Sequence, residues 1–152
     1  MFTKTIFKLL KLLFLFYTAF FLISGIAAPV LAKYKFFILA DKLYTTLALS
    51  CHQQPLRSFW ILGYPMAICA RCTGIYAGVL ISAFNRILLK TKINLYIAVL
   101  LLVIGSLEIA LEKYTSFTGN NFYRLISGLM IGWSLIGLFM FFTDYFRRLL
   151  KK

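Results

Sequence analysis

The sequence predicts an all-α polytopic membrane protein, a bundle of four transmembrane helices with one further helix lying in the membrane interface. Two observations lead to this fold class. The 152 residues are 62% hydrophobic, whereas a soluble domain is typically about half apolar because its surface faces water. Apolar runs of about twenty residues recur, the length that a helix needs to cross a hydrocarbon core roughly 30 Å thick. We expect residues 1–152 to form a single integral membrane domain.

The first predicted span covers residues 12–32 and follows three lysines. The small residues at its end, "AAPVLA", also fit the cleavage site of a secretory signal. The apolar run is longer than the core of about 7–15 residues found in such signals. A retained membrane anchor is therefore favoured, and a cleaved signal peptide is the alternative.

Residues 33–50 are too polar to cross a membrane. Phe36, Ala40, Leu43 and Leu47 recur at helical spacing, which predicts an amphipathic helix lying in the interface and delivering Cys51 at its C-terminal end. The polar side of this helix would consist of Lys35, Asp41, Lys42, Thr45 and Thr46.

The remaining predicted spans cover residues 73–89, 93–111 and 122–142. Small residues four positions apart lie on one helix face and let two helix backbones approach closely in lipid. The second and fourth spans are therefore expected to pack together, although glycine is also common in membrane helices without such a role. The residues concerned are Gly74, Gly78 and Ser82 in the second span and Gly128 and Gly132 in the fourth.

The basic residues predict which side of the membrane each segment occupies. The formal net charge is +13, from 17 Lys and Arg against 4 acidic residues. These cations flank apolar runs, so membrane topology and anionic lipid explain them, and nucleic-acid binding is not expected. Placing the basic clusters inside puts both termini in the cytoplasm and residues 51–72 outside the cytoplasmic membrane. The clusters are Lys4, Lys8 and Lys11; Arg86, Lys90 and Lys92; and Arg147, Arg148, Lys151 and Lys152.

The segment "CHQQPLRSFWILGYPMAICARCTGIYAG", residues 51–78, contains all three cysteines and the single histidine of the chain. Cys51, His52, Cys69 and Cys72 form a Cys3His set, which suits tetrahedral zinc or another transition metal. Zinc is the metal that we expect first. Because Cys51 and His52 are adjacent, the backbone must bend for both side chains to reach one ion.

Two other functions are open for the same cysteines. The Cys69-x-x-Cys72 pair near a helix N-terminus suits thiol–disulfide exchange. It could pass electrons between a soluble thiol protein and a quinone, with Cys51 as the resolving or shuttle thiol. Alternatively, two cysteines form a structural disulfide in an assembly subunit, although an odd number leaves one thiol unpaired. The sequence does not decide among these functions. It also does not show whether the protein is an enzyme or which oligomeric state it has.

Ionisable residues predict a polar pocket near the outer ends of the spans. Glu108 and Glu112 are one helical turn apart, and Arg124 enters the fourth span at a similar depth. Charged groups within a span usually face the bundle interior and pair, so we expect Arg124 to contact one glutamate. The pair could be structural only, or the pocket could hold an anionic lipid head group or relay protons. The predicted pocket consists of Arg57, Arg71, Glu108, Glu112, Asn121 and Arg124.

The stretches "CHQQPLRSF" and "CARCTGIYAG" resemble the signature of a family of small bacterial and archaeal predicted membrane proteins, a domain of unknown function. The stretch "NNFYRLISGLMIG" is similar to a second, weaker block of that family. The resemblance covers roughly residues 45–140 and implies a multi-span fold without a particular chemistry. Glu108 stands where the family pattern would have an aspartate. The matching residues are Cys51, His52, Gln53, Pro55, Arg57, Ser58, Phe59, Cys69, Arg71, Cys72, Gly74, Tyr76, Asn121, Arg124 and Gly128.

Overall fold

A computed structural model describes residues 2–88, 94–115 and 119–149, and most of these residues are helical. The loop between the second and third helices contains a single 3-10 turn and a hairpin of two very short strands, which the all-α prediction misses. Leu62 and Gly63 connect the strands with positive φ angles of 54° and 86°, as a two-residue hairpin turn requires. The elements are α1 (Phe2–Lys33), α2 (Phe37–Ala48), the 3-10 turn (Pro55–Arg57), β1 (Trp60–Ile61), β2 (Tyr64–Pro65), α3 (Ala70–Leu88), α4 (Leu95–Tyr114) and α5 (Asn121–Leu149).

Within the described ranges, three helical stretches are long and apolar enough to cross a membrane: Leu12–Lys33, Leu95–Tyr114 and Asn121–Thr143. The predicted second span corresponds to α3, which is not one of them. Helix α3 is less apolar than the other three because it contains polar residues, among them Arg71 and Asn85. It can carry these residues because α1 and α5 cover much of its surface. A multi-pass membrane protein is therefore supported, but four spans are not. Residues 89 and 93, which bound the predicted second and third spans, lie outside the described part.

Helices α3 and α5 run in the same direction and touch along their glycines. A Cβ atom added to Gly74 would overlap the carbonyl oxygen of Leu125, and one added to Gly128 would overlap the carbonyl oxygen of Arg71. Glycine is thus required here because backbone, rather than a flexible side chain, fills the space. Gly78 and Gly132 lie in the same seam, against Leu129 and Ile75.

Helices α4 and α1 complete the bundle, and both run opposite to α5. Gly105 of α4 lies against Ser127 and Ile131 of α5, while the other faces of α4 expose large apolar side chains, as expected for a helix that faces lipid. The Phe14 ring of α1 stacks on Phe139 of α5 at 6.2 Å between centroids. The N-terminal end of α1 and the C-terminal end of α5 are therefore at one end of the bundle, and the start of α3 is at the other.

Helix α2 folds back along α1. The turn between them has Lys35 at a φ of 65°, with hydrogen bonds from Phe36 N to Leu31 O and from Lys35 N to Ala32 O, the pattern of a Schellman helix end. At the far end of α2, the Tyr17 hydroxyl lies 3.5 Å from that of Ser50. The helix is thus part of a hairpin with α1.

Three of the four apolar residues predicted to share one side of α2 pack against the protein. Ala40 and Leu47 are buried, and Leu43 and Tyr44 pack beside them. Phe36, which the sequence analysis counted with these residues, belongs to the turn before the helix and is exposed. The basic clusters that predicted the topology lie among the terminal and loop side chains outside the described part.

Candidate functional site

The loop from residue 49 to residue 69 is held against α1 and α2 by hydrogen bonds and by one buried side chain. Ala67 N donates a hydrogen bond of 3.3 Å to Gly25 O, and the buried Ile68 side chain fills the space where a Cβ on Gly25 would lie. The Tyr44 hydroxyl donates to Pro65 O at 2.5 Å, and the Gln53 side-chain amide donates to Tyr44 O at 2.7 Å. These bonds hold the two ends of the cysteine segment together.

The three cysteine sulfurs converge at the start of α3. The Sγ atoms of Cys51, Cys69 and Cys72 all lie within 4.8 Å of one another, and no disulfide joins them. Cys51 directly follows α2, where its N–H donates to Leu47 O at 3.0 Å. A loop of seventeen residues, 52–68, therefore brings Cys51 to the Cys-x-x-Cys pair.

Backbone donors at the helix start stabilise negative charge on the sulfurs. Cys69 N–H donates to Cys51 Sγ at 3.1 Å, and Cys72 N–H donates to Cys69 Sγ at 3.4 Å. Hydrogen bonds from the Cys69 and Cys72 thiols lower the pKa of Cys51 well below its ordinary value, against the opposing effect of burial. The positive end of the α3 dipole acts in the same direction.

His52 is on the rim of the site. Its side chain is exposed, and its ring nitrogens are not within the 4.8 Å group formed by the three sulfurs. It does line the same cavity of about 410 Å³ as the cysteines. This space, which we call the arginine cavity, is lined by Ser50, Cys51, His52, Gln54, Arg57, Cys69, Arg71, Cys72 and Arg124.

Glu112 is the centre of an ion-pair network beside the cysteines. Its two carboxylate oxygens receive Arg71 Nη2 at 2.7 Å and Arg124 Nη2 at 2.6 Å, and Arg57 Nη2 lies 3.2 Å away. Glu108 accepts from Arg71 Nη2 at 2.8 Å and from the Ser127 hydroxyl at 3.0 Å. The predicted contact of Arg124 with a glutamate is present, and the network links α3, α4, α5 and the loop.

Asn121 connects this network to the cysteine loop. Its side chain donates to Ser58 O at 3.1 Å and accepts from Arg124 Nη1 at 3.1 Å. The sequence analysis named Asn121 but missed Ser127, which lies three residues after Arg124 on the same helix face and could have been found from that spacing. It also missed Tyr44, whose contacts depend on the fold of the loop.

Comparison with known proteins places these residues in a family. The family model described as "Predicted membrane protein (DUF2085)" matches residues 51–140, a range that contains the cysteines, His52 and the ion-pair network. An uncharacterized protein of Methanocaldococcus jannaschii is 35% identical over 115 residues, which is 72% of each chain. An uncharacterized protein of Methanothermobacter thermautotrophicus is 32% identical over 86 residues, 54% of this chain and 77% of the relative. No solved structure matches.

Proposed function

Because the chain belongs to this family of predicted membrane proteins, we propose that it is a multi-pass membrane protein whose cysteines bind a transition metal, with zinc as the first candidate. The observation that carries the proposal is the convergence of three unbridged sulfurs within 4.8 Å at the start of α3. Cys51, Cys69 and Cys72 would supply three thiolate ligands. His52, on the rim of the same cavity, would supply the fourth.

The distances between the sulfurs suit a tetrahedral site. Zn–S bonds of about 2.3 Å separate two thiolates on one ion by about 3.8 Å, so the observed grouping needs little contraction. Three thiolates carry more negative charge than a divalent ion balances. The N–H donors at the start of α3 and the nearby Arg71 guanidinium would stabilise the excess.

Cobalt substitution tests this proposal. Adding Co²⁺ to reduced, metal-free protein should give thiolate-to-metal charge-transfer absorption and the intense visible bands of tetrahedral Co²⁺, saturating at one equivalent. Cys72→Ser should abolish the signal, because a ligand is lost. Ser50→Ala, which changes a cavity residue without a thiol, is the matched control and should retain it. Reduced wild-type protein that shows no such absorption would contradict the proposal.

A thiol–disulfide oxidoreductase is the second candidate. It is favoured by the hydrogen bond from Cys72 N–H to Cys69 Sγ, which stabilises a thiolate on Cys69. Oxidation of Cys69 and Cys72 to a disulfide would release two electrons and two protons, and a quinone would take up both to become a quinol. Cys51 lies close enough to act as the third thiol. This function needs no imidazole. If Cys69 and Cys72 cycle between thiols and a disulfide equally well in wild-type protein and in His52→Ala, the oxidoreductase is favoured over metal binding.

The proposed membrane arrangement has four spans in one domain: the three helices that are apolar enough by themselves, and α3. The 19 residues of α3 correspond to about 28 Å of helix, close to the roughly 30 Å hydrocarbon core. Helices α1 and α5 shield the polar groups of α3. Both termini would be cytoplasmic and the cysteine site would open to the outside of the cytoplasmic membrane. The alternating directions of α1, α3, α4 and α5 support this arrangement. A structural disulfide in an assembly subunit remains the third interpretation.

A further inference from the structure

The arginine cavity is lined by cations. Three guanidinium groups, from Arg57, Arg71 and Arg124, line it together with His52, and no carboxylate among the described residues does. Glu108 and Glu112 contact the arginines but do not themselves line the cavity. The start of α3 adds the positive end of a 19-residue helix. The cysteine sulfurs apart, the charged groups that line the cavity are therefore all positive.

The two glutamates do not satisfy all of these donors. Arg71 makes both of its glutamate contacts through Nη2, and the buried Nε atoms of Arg71 and Arg124 have no hydrogen-bond partner. Three arginines against two glutamates leave one positive charge that no carboxylate of the network balances. The Arg124 side chain is only 9% exposed, so it is held in place whether or not the cavity is occupied.

Arg57 lies at the mouth of the cavity and is free to take another partner. Its side chain is 45% exposed, and its 3.2 Å contact with Glu112 is the longest in the network. An exposed ion pair contributes little to stability, so exchanging it for a ligand costs little. The planar fork of a guanidinium matches two oxygens of a phosphate group.

We propose that the arginine cavity binds a phosphate-type oxyanion, either free phosphate or the phosphate of an anionic lipid head group. Arg57 is the residue that would donate hydrogen bonds to two oxygens of this anion. The cavity of about 410 Å³ has room for such a group beside the thiols. Arg57 and Arg124 provide recognition that the proposed metal site does not use, whereas Arg71 would serve both sites.

Phosphate binding to detergent-purified protein tests the inference. Isothermal titration with inorganic phosphate, in the presence of a chelator and a reductant, separates this site from any metal. Arg57→Gln should raise the dissociation constant by about tenfold or more, the effect of losing one charge-assisted hydrogen bond pair. Lys42→Gln removes an equal charge from an exposed position on α2, and it should leave binding unchanged.

A second arm distinguishes the source of the phosphate. In buffer without inorganic phosphate, wild-type protein in phosphatidylglycerol nanodiscs should unfold at a higher temperature than in phosphatidylcholine nanodiscs if the ligand is an anionic lipid head group. Arg57→Gln should remove that difference. Saturable phosphate binding without a lipid preference identifies a free anion. The inference is overturned if neither arm shows an effect that depends on Arg57, or if Lys42→Gln weakens binding as much as Arg57→Gln.

Discussion

Two arginines that share one carboxylate oxygen allow a direct measurement of how burial changes the contribution of an ion pair to the free energy of unfolding. Arg124 and Arg57 both contact Glu112 Oε1, at 2.6 and 3.2 Å, but their side chains are 9% and 45% exposed. We therefore compare Arg124→Gln with Arg57→Gln. Both variants remove one positive charge and keep a polar side chain of related shape. The two substitutions differ mainly in how much water surrounds the group that is lost.

The expected magnitudes follow from that difference. Removing one partner of a buried pair typically costs about 3–5 kcal/mol of unfolding free energy. Glu112 keeps Arg71 at 2.7 Å after Arg124 is lost, so we expect the lower end, about 3 kcal/mol. The Asn121 side chain also loses its 3.1 Å donor. Arg57→Gln breaks a half-exposed contact and should cost at most about 1 kcal/mol.

Equilibrium unfolding in mixed micelles, with a denaturing detergent as the variable and helical circular dichroism as the signal, measures both values. Similar losses for the two variants, or a loss below about 1 kcal/mol for Arg124→Gln, would refute the reasoning. In that case the ion pairs of Glu112 would contribute as exposed contacts do, and the network would not be buried in the membrane-embedded protein.

Two further predictions concern the helix seam and the membrane orientation. Gly128→Ala would place a Cβ against the carbonyl oxygen of Arg71, so it should separate α3 from α5 and sharply reduce the yield of monodisperse protein in size-exclusion chromatography. The control Val103→Ala, on the outward face of α4, should not reduce that yield. Equal yields for the two variants would contradict the close packing of α3 and α5. Leu56→Cys, at a position 91% exposed in the loop, should react with a membrane-impermeant maleimide in intact cells above the wild-type background. Reaction only after lysis would place the loop in the cytoplasm.

Some of the fold could be predicted because its cause is local. The apolar runs of α4 and α5 are visible residue by residue, and the spacing of Gly128 and Gly132 already indicates one helix face. The helix of residues 37–48 could be predicted from its periodicity, but its reversal along α1 could not. That reversal depends on Lys35 adopting a positive φ, which a lysine seldom does.

The site could be predicted in outline and not in its connections. Charged residues at matched depths indicated that Arg124 would meet a glutamate, since lipid penalises either alone. That Arg57 and Arg71 reach the same Glu112 depends on how the loop folds over α3, and no periodicity encodes that path. The grouping of Cys51 with the Cys-x-x-Cys pair likewise depends on the contact of Ala67 with Gly25, a residue of α1 that is far from all three cysteines in sequence.

The metal content of the protein as purified tests the central claim most directly. Elemental analysis of detergent-purified wild-type protein, prepared without added metal or chelator, should find about one transition-metal ion per chain, with thiols that resist alkylation until a chelator is added. Cys51→Ser, Cys69→Ser and His52→Ala should each lose the metal, while Ser50→Ala should keep it. Metal-free wild-type protein whose Cys69 and Cys72 cycle between thiol and disulfide, regardless of His52, would contradict the account and favour the oxidoreductase.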